Sequence, residues 1–336
     1  MAIGDLEPGP LNAITDVAGV RVGHTTLVEG DDVRTGVTVI VPAELPAYAA
    51  PFRLNGNGEV TGLQWMQESG LLTTPIALTN THSVGAVHEA LVAASLTGDR
   101  STWSLPVVAE TWDGVLNDVN GFHVRPEHAM AALDAAADGP VDEGNVGGGT
   151  GMISHGFKGG IGTASRVAGA YTVGVLLQAN HGTRARLVVE GVPVGRLIGP
   201  DRVPLPPRPA LEGAGSVVVA VATDAPLLPH QCNALALRAM LGVARTGGAG
   251  EFSSGDFAIA FSTGPTQRVE PVPQEALNPL FYAAIEATEE AIVNALLAAE
   301  TMTGRGGATV HALPHDVFLD AMHRYGRSSP AVRTDA

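Results

Sequence analysis

The sequence predicts a protein of the α/β or α+β class, with helices packed in layers on sheets. Aromatic residues make up only 4% of the chain, whereas 42 glycines and many alanines and valines suit close packing between layers. Short apolar runs bounded by Gly, Asp or Pro indicate strands, and they alternate with segments whose apolar residues recur at helical spacing. The 336 residues are enough for a large core, as one big domain or two closely joined ones.

Each element is predicted from its local pattern, in chain order. Residues 20–24 and 35–41 are rich in valine and lie between turn residues, which predicts two strands. Helices are predicted at 62–69 and 83–96, since the second segment keeps its apolar residues on one face. A further helix is predicted at 229–243. The other strands are predicted, each from an apolar run, at 106–110, 171–177, 185–190, 216–222 and 257–261.

The longest predicted helix spans residues 280–299. Its inner stripe is predicted to consist of Phe281, Ile285, Thr288, Ile292, Ala295 and Leu296. We expect three glutamates of the same helix to face outward as a solvated acidic surface, which the pattern favours over a catalytic role. These are Glu286, Glu289 and Glu290.

The charge balance excludes some classes of partner. The formal net charge is -15, and the 19 lysines and arginines form no cluster. A nucleic acid or an anionic membrane would need a basic face, so neither is an expected partner. A ligand that carries a positive amine suits this composition better.

Cysteine usage and the absence of targeting signals predict a cytoplasmic protein. Cys232 is the single cysteine, which rules out an intrachain disulfide and an all-cysteine metal site. The first residues show no signal-peptide pattern, and no apolar run is long enough to span a membrane. The glycine-rich stretches 147–152 and 156–159 lack the spacing of nucleotide-binding loops, and the histidines lack metal-ligand spacing. We therefore expect no cofactor and no metal.

Ser216 is the most informative residue. It follows Gly213-Ala214-Gly215 and is the first residue of the predicted strand 216–222, so a hydroxyl lies at the start of a strand. The proline-rich stretch 200–209 upstream predicts an exposed, flexible connection at which the chain could be cut. A cut between Gly215 and Ser216 would create an α-amine, with a pKa of roughly 7.7 to 8.0, beside the hydroxyl whose proton it can accept. Alternatively, a Gly-Ser pair simply opens the strand.

A second strand begins with a similar group. Ser254 and Asp256 open the predicted strand 257–261, and adjacent strands would bring these ends to Ser216. A carboxylate beside an α-amine raises the pKa of the amine and orients it, while the second hydroxyl can relay a proton. Asn180, near the end of the strand 171–177, can donate to an oxyanion or can cap a turn.

With these residues and the motifs around them, the chain resembles a known family, the self-processing aminopeptidases that include the L-aminopeptidase/D-Ala-esterase-amidase and the β-peptidyl aminopeptidases. The resemblance runs from about residue 16 to residue 297, and the ordered set of motifs makes it specific. The motifs lie at residues 19–24, 55–59, 80–85, 110–114, 147–152, 157–166, 222–229 and 254–256.

The resemblance implies roles for the catalytic residues. Ser216 is the implied nucleophile, released by self-cleavage after Gly215. Ser254 and Asp256 complete the implied catalytic group, and Asn180 contributes to the oxyanion hole. The acid of the family is often a glutamate, so the aspartate here is one methylene shorter.

The resemblance also implies the substrate contacts. Glu110 would hold the free amine of the substrate; the alternative is an ordinary surface acid at the end of a strand. Trp112 and Lys158 are further implied substrate-binding residues. Some family members place a tyrosine near the oxyanion where this chain has Trp112, whose indole donates a hydrogen bond but cannot act as a phenolic acid.

The fold implied by the resemblance is a four-layer αββα sandwich, similar in architecture to the N-terminal-nucleophile hydrolases but different in connectivity. We expect one domain over residues 1–336, processed into an α chain of 1–215 and a β chain of 216–336. The implied assembly is a homo-oligomer, a tetramer of processed heterodimers, that acts on a small peptide or amino-acid amide. Two alternatives remain at this point, an acyltransferase of the ornithine acetyltransferase type and a non-catalytic ligand-binding relative.

Overall fold

The computed structural model describes residues 3–96, 103–207, 215–267 and 270–327. The strands are β1 (Arg21–Glu29), β2 (Val33–Val41), β3 (Ala47–Arg53), β4 (Leu71–Leu72), β5 (Ile76–Asn80), β6 (Val107–Thr111), β7 (Ile153–Ser154), β8 (Phe157–Lys158), β9 (Gly160–Ala168), β10 (Tyr171–Asn180), β11 (Ser216–Thr223), β12 (Gly255–Ser262), β13 (Met302–Thr303) and β14 (Thr309–Val310). The α-helices are α1 (Leu63–Ser69), α2 (Val84–Ser95), α3 (Pro126–Asp134), α4 (Val194–Leu197), α5 (Pro229–Arg245), α6 (Asn278–Ala298) and α7 (His315–Arg324).

Two mixed sheets form the centre of the fold. The first has four strands in the order β1-β2-β5-β6, and the second has six in the order β4-β3-β12-β11-β10-β9. Neighbouring strands run antiparallel except in the pairs β5–β6 and β11–β12, which are parallel. The short pairs β7–β8 and β13–β14 are separate hairpin-like ladders.

The sheets lie face to face, with helices on both outer faces. Side chains of α2 and α3 pack on the four-stranded sheet, and those of α5 and α6 pack on the six-stranded sheet. A third core cluster, which includes Ile40, Leu78, Leu176 and Val218, fills the space between the sheets. The predicted class and the αββα layering are therefore confirmed.

Burial on both faces explains why β11 is an unbroken apolar run. Val217, Val219 and Val221 belong to the core under the helices, whereas Val218 and Ala220 belong to the core between the sheets. A strand covered on both sides needs no polar alternation. β11 also pairs with β10, which precedes residue 215, and with β12, which follows it. Both sides of the predicted cut thus contribute to one sheet.

Most predicted elements are present, with shifted ends. The strand predicted at 171–177 extends to Asn180, so this residue ends a strand. The prediction of a strand at 185–190 is wrong. A turn of 3-10 helix occupies Arg184–Arg186, and Glu190 and Gly191 adopt positive φ values that turn the chain back on itself.

The connection predicted at 200–209 is partly described. Residues 200–207 are largely exposed, with Val203 buried. Residues 208–209, and the stretch 210–214 that leads to the predicted cut, lie outside the described residues. Within the described ranges, no helix is both long enough and apolar enough to cross a membrane.

The outward acidic face predicted on α6 is wrong, because Glu286, Glu289 and Glu290 are all buried. The fully buried guanidinium of Arg166, on β9, forms ion pairs with Glu290 through Nη2 and with Glu286 through Nε, the latter at 3.6 Å. Glu289 pairs with Arg245 of α5 at 3.2 Å. The amphipathic pattern is uninformative here because cations from two other elements, the buried Arg166 of β9 and the partly exposed Arg245 of α5, pair with the acidic side of the helix.

The same glutamates hold the beginning of the chain. The Ile3 N–H donates to Glu290 Oε2 at 2.9 Å, and the Leu6 N–H donates to Glu286 Oε2 at 3.0 Å. Asn12 Nδ2 donates to Glu290 Oε1 at 2.6 Å. The first turn of the described chain is therefore fixed onto α6 by charge-assisted hydrogen bonds.

Replacing Glu290 by alanine should be strongly destabilising, because it leaves Arg166 buried with one acid fewer. We expect the free energy of unfolding to fall by about 3 to 5 kcal/mol, measured by urea denaturation. Glu300→Ala, at an exposed position just beyond α6, is the control and should change it by no more than about 0.5 kcal/mol. A loss for Glu290→Ala as small as that of the control would show that the cluster does not stabilise the fold.

Candidate active site

The ends of three adjacent strands meet at Ser216. The Cα of Ser216, the first residue of β11, pairs with Asn180 at the end of β10 and with Gly255 at the start of β12. Directly paired residues project on the same face of a sheet, so Asn180 and Ser216 lie side by side. Val218, two residues further along β11, belongs to the core between the sheets, which places this pair on the face toward the four-stranded sheet.

The Ser216 hydroxyl is buried and oriented. Its Oγ accepts a hydrogen bond from the Gly255 N–H at 3.1 Å, and only 6% of the residue is exposed. Gly255 is required here because a Cβ would lie 2.7 Å from the Asn57 carbonyl oxygen and 2.8 Å from the Gly58 Cα. The loop that follows β3 therefore packs directly against the strand end that holds the hydroxyl.

Asp256 lies next to Ser216 and is held by three donors. Its Oδ1 accepts from Ser254 Oγ at 2.7 Å and from the Val217 N–H at 3.1 Å, and its Oδ2 accepts from Asn55 Nδ2 at 2.8 Å. Burial raises the pKa of the carboxyl group, and the three hydrogen bonds oppose that rise. An ammonium group formed at Ser216, the residue before Val217, would favour the charged carboxylate and would also oppose the rise in its pKa.

The side chain of Asn180 bridges two segments of the chain. Its Oδ1 accepts from the Ile153 N–H at 2.8 Å, and its Nδ2 donates to the Trp112 carbonyl oxygen at 3.0 Å. These partners belong to distant segments, so Asn180 does not cap its own turn. A side-chain amide has two N–H donors on Nδ2, so one remains for an oxyanion.

Glu110, in β6, is buried beside this group. Its Oε1 accepts from the Glu59 N–H at 2.9 Å, and its Oε2 accepts from the Thr81 hydroxyl. The residue is only 4% exposed, so the alternative of a surface acid is wrong. Burial raises the pKa of the carboxyl group, chiefly against the hydrogen bond from Thr81. Gly58, whose added Cβ would lie 3.2 Å from both Glu110 Oε1 and the Gly255 Cα, connects this acid to the Ser216 end of the sheet.

Trp112 and Lys158 occupy different environments. Trp112 is 38% exposed, while its carbonyl oxygen holds Asn180. Lys158 is fully buried, and its Nζ donates to the carbonyl oxygens of Gly159 at 2.9 Å and Gly149 at 3.3 Å. Desolvation lowers the pKa of this amine to about 7. The contact of Lys158 with substrate stays a prediction, since the side chain is fully buried and two of its donors are occupied by main-chain carbonyls.

The predicted cleavage point is closely packed. A Cβ on Gly215 would lie 2.4 Å from the Asn180 carbonyl oxygen and 3.0 Å from the His181 Cα. Any other residue would push the chain away from β10. The glycine before Ser216 is therefore a packing requirement as well as a turn residue.

Sequence reasoning gave no role to two residues that complete the site, Asn55 and Thr81. Both lie in motifs that were noted, at residues 55–59 and 80–85, yet each acts by orienting a carboxylate from another part of the chain. The signal that could have found them is a polar side chain just after a strand, followed by a glycine-rich turn for Asn55 and at the start of a 3-10 helix for Thr81.

The arrangement combines a hydroxyl, an amide with one free N–H and two carboxylates. Ser216 supplies the hydroxyl, Asn180 the free N–H, and Asp256 and Glu110 the negative charges. No group of three or more His, Cys, Asp or Glu in the described residues could hold a metal ion. Such a site can perform acyl transfer from an amide or ester whose amine lies against Glu110.

Comparison with known proteins identifies the family of this chain. A family model described as peptidase family S58 matches residues 12–310. The beta-peptidyl aminopeptidase BapA of Sphingosinicella microcystinivorans is 46% identical over an alignment 361 residues long. The alignment covers 97% of this chain and 91% of that protein.

Solved structures are similar over nearly the whole chain. A beta-aminopeptidase of Burkholderia sp. is 52% identical with a TM-score of 0.89, covering 98% of each chain. The L-aminopeptidase D-Ala-esterase/amidase of Ochrobactrum anthropi, described as a variant of the Ntn hydrolase fold, is 42% identical with a TM-score of 0.89, also over 98% of each chain. The chain therefore belongs to peptidase family S58.

Proposed function

We propose that this protein is a self-processing serine aminopeptidase that releases N-terminal residues from short peptides, amides or esters with a free amine. Membership of a peptidase family makes the protein a hydrolase. The roles of the individual residues are part of the proposal. The observation that carries it is the register that places Asn180, Ser216 and Gly255 side by side, with Asp256 hydrogen-bonded to the Val217 N–H.

Processing is proposed to begin with attack of Ser216 Oγ on the Gly215 carbonyl carbon. The C–N bond breaks, the hydroxyl proton passes to the departing nitrogen, and an ester forms between Gly215 and Ser216. Water then hydrolyses the ester, which leaves the Gly215 carboxylate and the Ser216 hydroxyl with a free α-amine. The two products, 1–215 and 216–336, stay together as one domain because β11 pairs with strands from both.

Turnover is proposed to reuse the same atoms. The new α-amine of Ser216 accepts the hydroxyl proton, and Oγ attacks the carbonyl that follows the substrate's N-terminal residue. Asn180 donates to the oxyanion and Asp256 orients the amine. The ammonium formed at Ser216 then returns the proton to the leaving group, with the Ser254 hydroxyl as a relay. Water releases the acyl group. Glu110 pairs with the substrate ammonium, and Trp112 and Lys158 complete the binding region.

The substrate range and the setting of the enzyme are also proposed. Two relatives are named for action on β-peptides or as β-aminopeptidases, which supports N-terminal β-amino residues as substrates here. The family resemblance supports a homo-oligomer of processed heterodimers. The single cysteine, which forms no intrachain disulfide, supports a cytoplasmic location.

Ser216→Ala should give a folded, uncleaved and inactive protein, because the attacking oxygen for processing and for turnover is gone. The intact mass of the purified protein distinguishes one chain from two fragments split between Gly215 and Ser216. Ser253→Ala, which removes the next serine hydroxyl before Ser254, is the control and should process and turn over substrate normally. Cleavage of the Ser216→Ala protein at this bond would refute the assignment.

Asp256→Asn should lower kcat by about a hundredfold or more, within the range of general acid–base effects. The amide group introduced at position 256 would point an N–H at hydrogen-bond donors that face a carboxylate oxygen in the wild type. It also carries no charge to orient the new amine of Ser216. Asp224→Asn is matched to it, because Asp224 Oδ1 also accepts a backbone N–H, from Thr172 at 2.8 Å, beyond the far end of β11. Steady-state kinetics of the processed proteins should show the loss in the first variant alone. Equal activity of both would move the acid role elsewhere.

A free substrate amine should be required, because Glu110 would be left unpaired by an acylated substrate. Loss of the partner of a buried charge costs about 3 to 5 kcal/mol, so an N-acetylated peptide amide should react hundreds of times more slowly than its free-amine counterpart. Glu110→Gln should shrink that gap by impairing only the free-amine substrate.

The pH dependence of KM offers a second measurement on Glu110. Because the pKa of Glu110 is raised, its carboxylate takes up a proton at a higher pH than an ordinary glutamate does. KM for the free-amine substrate should therefore rise at acid pH in the wild type and change less in Glu110→Gln. Comparable hydrolysis of blocked and free substrates by the wild type would instead indicate an endo-acting amidase.

A further inference from the structure

A buried carboxylate that the proposed reaction does not use lies directly behind the site. Asp113 follows Trp112 after β6, and it is only 1% exposed. Burial raises the pKa of its carboxyl group to about 6. Burial of a carboxyl group costs free energy unless the group is fully hydrogen-bonded, so its position requires an explanation.

The donors to Asp113 come from two strands of the four-stranded sheet and from the turn that follows β6. Asn80 Nδ2, at the end of β5, donates to Oδ2 at 3.0 Å. Asn117 Nδ2 donates to both carboxylate oxygens at 3.1 Å. The Thr35 hydroxyl, in β2, also hydrogen-bonds to this carboxylate and itself accepts from Asn80 Nδ2 at 3.1 Å. These donors are neutral, so they fix the carboxylate in place without cancelling its charge.

The backbone around Asp113 is fixed as well. Its carbonyl oxygen accepts from the N–H groups of Leu116 and Asn117, both at 3.1 Å, which closes a tight turn after the strand. Gly151 packs against the side chain, since a Cβ there would lie 2.9 Å from the Asp113 Cβ. Side chain and main chain therefore define one position for the Asp113 Cα.

That position determines the direction of the Trp112 carbonyl. The carbonyl of residue 112 and the N–H and Cα of residue 113 lie in a single planar peptide unit. The Trp112 oxygen accepts from Asn180 Nδ2 at 3.0 Å, and Asn180 Oδ1 accepts from the Ile153 N–H. With both of these bonds made, the direction of the one remaining Asn180 N–H follows from the placement of the Trp112 carbonyl.

We propose that Asp113 is a positioning residue for the reaction: it fixes the Trp112 peptide, and through it aims the free N–H of Asn180 at the oxyanion. This inference rests on the proposed function, because it uses the oxyanion role of Asn180. It predicts an effect on the transition state, shared by processing and turnover, with little effect on binding of the substrate amine at Glu110.

The first test is Asp113→Asn, which keeps the shape of the side chain but turns an N–H toward the donors. A small misplacement of a catalytic group costs up to about a hundredfold in rate, so we expect kcat to fall by about tenfold to a hundredfold. KM for a free-amine substrate should stay within about twofold, and processing, followed by intact mass, should slow together with kcat. A rise in KM with unchanged kcat, or unchanged kcat and processing in the folded variant, would overturn the proposal.

Two further variants separate positioning from a general loss of structure. The exchange Asp113→Asn with Asn117→Asp rebuilds the amide–carboxylate pair in reverse and should restore kcat toward the wild type. Glu143→Gln is the control, a partly buried carboxyl group with a raised pKa that keeps its acceptor for the Thr163 N–H, at 2.7 Å, on β9. It should leave kcat and processing unchanged; a loss equal to that of Asp113→Asn would assign the effect to buried carboxylates in general.

Asn117→Ala covers the case in which Asp113→Asn fails to fold. It removes the two bonds from Asn117 Nδ2, and with them the Oδ1 acceptor of the Arg34 N–H at 3.1 Å, but keeps the carboxylate. The same fall in kcat at constant KM is expected. Asn180→Ala tests the proposed function separately, with an expected loss of about a hundredfold to a thousandfold. Wild-type kcat in Asn180→Ala would refute the oxyanion role itself, whereas a loss there without one in the position 113 and 117 variants would refute only the positioning role.

Discussion

The register of β11 between its two neighbours is the constraint on which the site depends. Asn180 and Gly255 flank Ser216 because β10 ends, and β12 begins, at the same level of the sheet. A slip of β11 by one residue would turn the hydroxyl toward the helices and place Val217 on the face between the sheets. The buried valines of β11, alternating between two cores, make such a slip costly, so the packing of the sandwich fixes the chemistry at its edge.

The buried charges of this acidic chain fall into two kinds. Arg166 is paired with Glu286 and Glu290, so that group is closed and serves to hold the chain together. Glu110 and Asp256 are held instead by hydroxyl, amide and backbone donors. Neutral donors orient a carboxylate but leave its charge available, which suits partners that arrive later: the ammonium of a substrate and the amine formed at Ser216.

Local pattern was sufficient for much of the fold and part of the site. Ser216, Ser254 and Asp256 could be predicted to meet because each lies where an apolar run begins, and strand ends are marked by small and polar residues. Asn55 and Asp113 could not be given roles, because their partners lie in segments that only the tertiary fold brings together. The outward acidic face of α6 was wrongly predicted for the same reason, since the cations that pair with its glutamates come from β9 and α5.

β9 itself illustrates a further limit. It is rich in small residues, and Gly162 meets the backbone of Ala291 on α6, where a Cβ would lie 1.9 Å from the carbonyl oxygen. Close approach of helix and sheet there needs glycine, a residue that weakens the sequence signature of a strand. The pattern that hides the strand is thus the one that lets α6 pack on it.

The central position of β11 affects whether the cut protein can refold. A chain cut before Ser216 keeps its sheet, since β11 and β12 remain paired with β10 and β3 of the other fragment. Once both fragments unfold, however, nothing tethers them, and the return to the native state becomes a second-order encounter of two incomplete chains. If the chain is processed as proposed, folding takes place in the uncut precursor. The processed enzyme would then stay active only while it stays folded, and its inactivation by heat or denaturant would become less reversible as the protein is diluted.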